Sequence, residues 1–293
     1  ISLLISIFSE IKYYGISAYY FKKCTFNEYF TKNFFMKKIL FLSTIVLLMA
    51  SCKQEEKAAL SMAGAYKMDE QSYKGPNVDT VLTDAVQVKL FSSTHYVFAA
   101  FAKDSTVGFG VGNYDQDGNV LTEHNIFRPN LLDTAMSVRV EITSTDKGYS
   151  QHIPELMVSG AKFSMDEKYT RVSTASTSDL DGLWELSKVL SVKGSDTTTT
   201  QYKQYKMYQD GHFLFVHKNP NISSGPGSSG FGFGTFKLTG NALEETNSLS
   251  NYPSIVGMPI NISVAMEGKD AYSQTIVDTT QKVTTIEFYK KVK

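Results

Sequence analysis

From residue 62 onward, apolar and polar side chains alternate with a period of two. Gln87 and Lys89 separate Val86, Val88 and Leu90. Arg139 and Glu141 separate Val138, Val140 and Ile142, and Ile262, Val264 and Met266 keep the same rhythm. Successive side chains of a strand point to opposite faces, so the pattern predicts half-buried β-strands. Asp117-Gly118, Asp210-Gly211 and Gly240-Asn241 interrupt the runs and supply the positive φ of tight hairpin turns. In the C-terminal part the runs predict eight strands: Leu183–Val189, Gln201–Tyr208, His212–Lys218, Gly230–Leu238, Ala242–Asn247, Pro259–Glu267, Ala271–Val277 and Thr284–Val292.

The alternating region is a duplication. Gly64-Ala65-Tyr66 matches Gly182-Leu183-Trp184, and Gln87-x-Lys89 with His95-Tyr96-x-Phe98 matches Gln204-x-Lys206 with His212-Phe213-x-Phe215. Gly108-Phe109-Gly110-x-Gly112 and Glu123-x-Asn125 match Gly230-Phe231-Gly232-x-Gly234 and Glu245-x-Asn247. Tyr149-Ser150-Gln151 matches Tyr272-Ser273-Gln274, and Glu167-x-Tyr169 matches Glu287-x-Tyr289. The offset stays between 117 and 123 residues, and it steps up once, where the second copy carries the Ser/Gly/Pro-rich loop Asn219–Ser229. Loops take such insertions at little entropic cost. Each copy has the size of an ordinary domain. Eight antiparallel strands joined by short turns must hide their edges, and closing into a barrel does so; a sandwich is the alternative. An eight-stranded barrel has an interior filled by side chains, or room for one small ligand.

The N-terminal part follows a different pattern. Residues 1–35 show no clean periodicity. Met36 then opens a basic stretch, Lys37-Lys38, followed by the 12-residue apolar run Ile39–Ala50. A membrane span needs about 20 apolar residues, so this run has the layout of a secretory signal peptide. Leu48-Met49-Ala50-Ser51-Cys52 resembles a bacterial lipobox, and Lys53-Gln54-Glu55-Glu56 resembles the acidic export signal of Bacteroidetes surface lipoproteins. The resemblance implies cleavage before Cys52 and lipidation of its thiol and amine, with residues 1–35 an upstream extension, 36–51 the signal peptide and 52–62 a tether. Two or more acyl chains suffice for stable anchoring. Cys24 leaves with the signal, so the exported chain keeps no free thiol.

Charge adds an exclusion. Lys+Arg and Asp+Glu number 29 each, and cleavage removes six Lys and two Glu, leaving an acidic excess of four. A nucleic-acid binder needs a basic surplus, so no nucleic-acid partner is expected. The glycine-rich segments are not phosphate loops, because no helix pattern follows them; alternate glycines of a strand instead smooth one face, for curvature, close packing or a flat ligand. Five histidines, His95, His124, His152, His212 and His217, show no convergent metal-ligand spacing; His95 and His212 follow hairpin turns, where a bond to backbone is expected. Glu123 and Glu245 are expected to pair with Lys89 and Lys206, and no catalytic residues, metal or cofactor are assigned. Asp-Ser/Thr pairs at Asp79, Asp104, Asp133, Asp196 and Asp278 resemble O-glycosylation sites of exported Bacteroidetes proteins.

Gly182-x-Trp184 on a first strand, eight strands and a basic residue on the last strand resemble lipocalin-like barrels. Gln204-x-Lys206-x-Tyr208-x-Asp210-Gly211-x-Phe213, followed by Gly234-Thr235-Phe236, resembles the lipocalin-like domains of Bacteroidetes lipoproteins. The resemblance implies an all-β chain of two tandem eight-stranded antiparallel lipocalin-like barrels, 63–173 and 180–293, after a lipoprotein signal peptide. A cation should cover an aromatic ring in each copy, Arg171 over Tyr66 and Lys291 over Trp184. The expected function is non-catalytic binding of a small, largely apolar ligand inside a barrel. Its lining would come from Tyr66, Phe91, Tyr96 and Phe98, or from Trp184, Tyr205, Tyr208, Phe213 and Phe215. The alternative is an interaction module for a surface protein or glycan. Both place the chain at the outer membrane through the lipid on Cys52, facing the periplasm or the cell surface.

Overall fold

A computed structural model describes residues 61–293 apart from 83, 102–106, 129–136, 159–160, 174, 220 and 222–227. Residues 1–35, the signal peptide 36–51, Cys52, the tether as far as residue 60, and Asp104 and Asp133 lie outside the described residues.

The chain forms two closed antiparallel barrels in tandem. The first comprises β1 (Gly64–Gly75), β2 (Val78–Leu82), β3 (Val86–Phe91), β4 (His95–Phe101), β5 (Val107–Asp117), β6 (Val120–Phe127), β7 (Ser137–Ser144), β8 (Gly148–Val158) and β9 (Ala161–Arg171). The second comprises β10 (Gly182–Lys193), β11 (Asp196–Thr200), β12 (Gln204–Gln209), β13 (His212–Lys218), β14 (Ser229–Thr239), β15 (Ala242–Ser250), β16 (Pro259–Met266), β17 (Ala271–Asp278) and β18 (Val283–Lys291). Each is an up-and-down meander closed by its first and last strands, β1 on β9 and β10 on β18. Among the described residues only the short β2 and β11 pair on one side alone, and short edge strands are poor templates for aggregation.

Nine strands fill eight places. β10 bonds β12 through Gly182–Glu185 and β11 through Val189–Lys193, so β11 and β12 share one position in the ring. β2 and β3 divide β1 in the same way. The apolar pattern misses β11 because Asp196-Thr-Thr-Thr-Thr200 is exposed at every position and has nothing apolar to alternate. Its β-branched residues still suit extended backbone.

Alternating residues separate three cores. Tyr66, Met68, Phe91, Tyr96, Leu121, Val140, Ile142, Tyr149 and Tyr169 fill the first barrel, together with Met62. Trp184, Leu186, Tyr208, Phe213, Leu243, Ile262, Val264, Tyr272 and Tyr289 fill the second. A third core lies outside both, where β3, β4 and β5 pack wall to wall on β12, β13 and β14. Here the alternation runs against the ordinary expectation. In β3 the apolar Val88 and Leu90 face outward into this shared core, while Gln87 and Lys89 face the barrel interior.

Candidate functional site

Each barrel interior holds a polar cluster, built from the same repeat positions. In the first, Lys89 donates to Glu123, and both are almost fully buried. Beside them the Glu167 carboxylate accepts from Gln71 Nε2 (2.6 Å), Tyr169 OH (2.8 Å) and Gln151. Gln87 donates to Tyr169. Burial pushes the Glu167 carboxyl above the ordinary range, against the pull of Lys89. In the second, Lys206 Nζ lies 2.8 Å from Glu245, and Tyr208 OH donates to the same carboxylate at 2.5 Å. Gln274 Nε2 and Tyr289 OH donate to Glu287 at 2.6 and 2.7 Å, and Gln204 Nε2 reaches the Tyr289 hydroxyl at 2.5 Å. The repeated glutamates therefore pair with the repeated lysines, as expected. A buried ion pair holds its charges only because hydrogen bonds complete it, and here the flanking Gln and Tyr side chains do so.

The expected cations also cover their rings. Arg171 Cζ lies 5.8 Å from the Tyr66 centroid, and Lys291 Nζ lies 5.0 Å from that of Trp184. The Trp184 indole N–H donates to Leu180 O at 2.7 Å. Of the aromatic side chains singled out in the sequence, Tyr66, Phe91, Tyr96 and Phe98 meet in the first interior. Trp184, Tyr208, Phe213 and Phe215 meet in the second. Tyr205 sits elsewhere: with Gln204, Lys206 and Tyr208 facing in, its parity turns it outward, against Phe127 of the first barrel. The interior rings touch one another, Tyr66 with Tyr149 at 4.9 Å and Trp184 with Tyr272 at 4.8 Å between centroids.

The smooth glycine faces point inward and are covered. Phe98 and Tyr96 lie over Gly110 and Gly112, and Phe215 and the Asn247 amide lie over Gly232. A methyl at Gly112 or Gly234 would overlap the carbonyl of His124 or Thr246, at the bulge of each strand pair. These glycines serve close packing. His212 Nδ1 contacts the Asp210 carbonyl at 3.2 Å, as a turn-flanking histidine should. No group of three or more His, Cys, Asp or Glu able to hold a metal occurs among the described residues.

Sequence reasoning missed one feature of the second barrel's wall. Where β11 passes to β12, Gln201, Tyr202 and Lys203 leave the ladder, and Ser187 bulges from β10 to donate to Phe288 O at 2.9 Å. A depression of about 400 Å³ opens there, lined by Glu185, Leu186, Ser187, Gln201, Tyr202, Lys203 and Lys290. Lys203 pairs with Glu185 and lies over the Tyr205 ring. The Tyr202 ring turns inward and meets His217 edge-on at 5.7 Å. Only the gap between two short strands marks this place in the sequence.

No family model matches the chain, and no curated protein matches it. Among solved structures, the chain is similar to a crystal structure described as a putative outer membrane protein from Bacteroides fragilis. The identity is 12%, with 79% of this chain and 98% of that chain covered, at a TM-score of 0.24. That superposition is too loose to equate the two folds. Among the described residues no helix is long and apolar enough to cross a membrane.

Proposed function

We propose that the chain is a membrane-anchored, non-catalytic binding module whose second barrel takes a small ligand at the wall depression between β10 and β12. The observation that carries this reading is the contrast between the two kinds of space. The interiors hold Lys–Glu pairs and rings in mutual contact, which leaves an apolar ligand there little to replace. The depression offers about 400 Å³ edged by both charged and aromatic groups. Its size falls within the range of small-molecule sites, and its lining is mostly polar.

The anchoring half of the proposal rests on the ordered basic stretch, apolar run and Ser51-Cys52. On β16 the face away from the interior is polar or small: Ile262 and Val264 face in, while Asn261, Ser263 and Ala265 are exposed, and the outward apolar residues of β3–β5 and β12–β14 are covered where the two walls meet. The attachment proposed is the lipid on Cys52, and the outer membrane is the proposed location. Two measurements test this. Cys52→Ala should move the chain from the membrane to the soluble fraction, and mass spectrometry of the intact chain should find diacylglyceryl on Cys52. Full chain purified from its native membranes should release a small molecule on denaturation, and Gln201→Trp, which fills the depression from its exposed rim, should abolish it. An unmodified Cys52 refutes the anchor, and co-purification unchanged by the tryptophan refutes the site.

A further inference from the structure

The positions that line the wall depression have counterparts in the first barrel, and their charges differ. Lys67 stands where the second copy has Glu185, and Asp69 and Asp84 stand where it has Ser187 and Gln201. In the other direction, the uncharged Val86 and Thr170 are replaced by Lys203 and Lys290. Two acids and one lysine in the first copy thus become two lysines and one glutamate in the second. This local reversal runs against the chain as a whole, which carries an acidic excess from Cys52 onward.

The three charges in the depression are not equivalent. Lys203 Nζ pairs with Glu185 Oε1 and lies 5.2 Å from the Tyr205 ring centroid, so this cation is already neutralised. Lys290 stands opposite Glu185 across the β10–β18 ladder, but that carboxylate is turned to Lys203. Lys290 is exposed, belongs to the lining and makes no ion pair among the described residues. One positive charge is therefore left over. Room lies beside it: β10 bonds β12 as far as Glu185 and β11 only from Val189, so the ladder skips Leu186–Lys188 on that side, and about 400 Å³ opens there. Apolar lining is confined to Leu186 and the ring of Tyr202. The Gln201 amide, exposed and without a partner among the described residues, and the second oxygen of Glu185 add neutral and acceptor groups.

We infer that the depression takes a small hydroxylated monocarboxylate, a ligand of the sugar-acid kind, with its carboxylate on Lys290. One uncompensated ammonium matches a single negative charge, whereas a phosphate dianion would leave a charge over. A hydrogen bond between two ionised groups is stronger than a neutral one. Hydroxyls suit the rest of the lining, since the Gln201 amide both donates and accepts and the Glu185 oxygen accepts. The ligand's ring carbons rest on Leu186 and the edge of Tyr202. The matching place on the first barrel, with its two aspartates, repels such an anion. The inference rests on the binding-module reading above and names the class of ligand.

Titration of the full chain in detergent by calorimetry tests it, with glucuronate, glucose and inorganic phosphate as probes. Saturable binding of glucuronate is expected, with glucose and phosphate weaker by about tenfold. Lys290→Gln, an exposed substitution that leaves the fold intact, should weaken glucuronate by about tenfold, while Lys290→Arg should keep most of the affinity. No saturable glucuronate binding, tighter binding of phosphate, or equal affinity in wild type and Lys290→Gln overturns the inference. If glucuronate fails while a native small molecule still co-purifies and is lost in Gln201→Trp, the binding-module reading survives and only the sugar-acid assignment falls.

Discussion

Lys206 and Glu245 stand in a low-dielectric interior, where removing one partner leaves the other charged and bare. Lys206→Met should destabilise the second barrel by about 3–5 kcal/mol, and pairing it with Glu245→Leu should recover most of that loss. Urea unfolding of the single and double variants measures it. Asp181 offers a second handle. Its Oδ2 accepts from Ser178 N at 3.0 Å while Oδ1 is buried without a partner. Burial, aided by nearby Asp210, raises its pKa to about 6. The folded state therefore holds this proton more tightly than the unfolded chain, whose Asp titrates near 3.9. Its contribution to stability is complete below about pH 4 and is lost as pH rises to about 6. The stability difference between wild type and Asp181→Asn should fall across that window; a constant difference would refute the assignment. At this scale the sequence was informative where a residue recurs in both copies: the Lys–Glu pairs and the cations over rings were legible from the repeat. It was silent where the copies diverge: Tyr96 donates to Asn125 in the first copy, while Phe213 at the matching position of the second has no hydroxyl, and no single-residue pattern announces that.

Strands were legible by their apolar rhythm and their turns: of the eight predicted for the second copy, five run close to their expected bounds and two run on further, β10 to Lys193 and β15 to Ser250. The eighth, Gln201–Tyr208, begins later, at Gln204, because residues 201–203 step out of the ladder to form the depression. Facing was less legible than existence. Gln87-Val88-Lys89-Leu90 reads as a strand with its polar side in water, yet a second apolar wall lies outside and draws Val88 and Leu90 to it. Period-two alternation fixes that two faces differ; it does not say which one looks inward when both are covered. The bulges carry a prediction of their own. Gly234→Ala, which would press a methyl on the Thr246 carbonyl, should cost about 1–3 kcal/mol. Gly118→Ala sits in open space at φ 58°, so it meets only backbone strain and should cost less. Thermal unfolding of both variants ranks them, and the reverse order would contradict the close approach at the bulge.

The whole molecule is held by the wall-to-wall core and by Arg171, whose guanidinium reaches Asp210 at 2.8 Å from across the seam. Leu214 and Val97 are fully buried there. Barrels that share this much apolar surface should unfold together, as a single calorimetric transition. Leu214→Asp, which puts a charge into the seam, should split that transition in two; two transitions in the wild type would show that the seam contributes little. The seam also matches residue for residue: Ala65 with Leu183, Val88 with Tyr205, Leu90 with Met207, Val97 with Leu214, Ala99 with Val216, Phe109 with Phe231 and Val111 with Phe233. Both halves thus present equivalent positions to each other, which is the arrangement of a pair about an approximate twofold axis. Carrying both copies on one polypeptide fixes their stoichiometry at one to one, even where the copies differ, as at Tyr96 and Phe213.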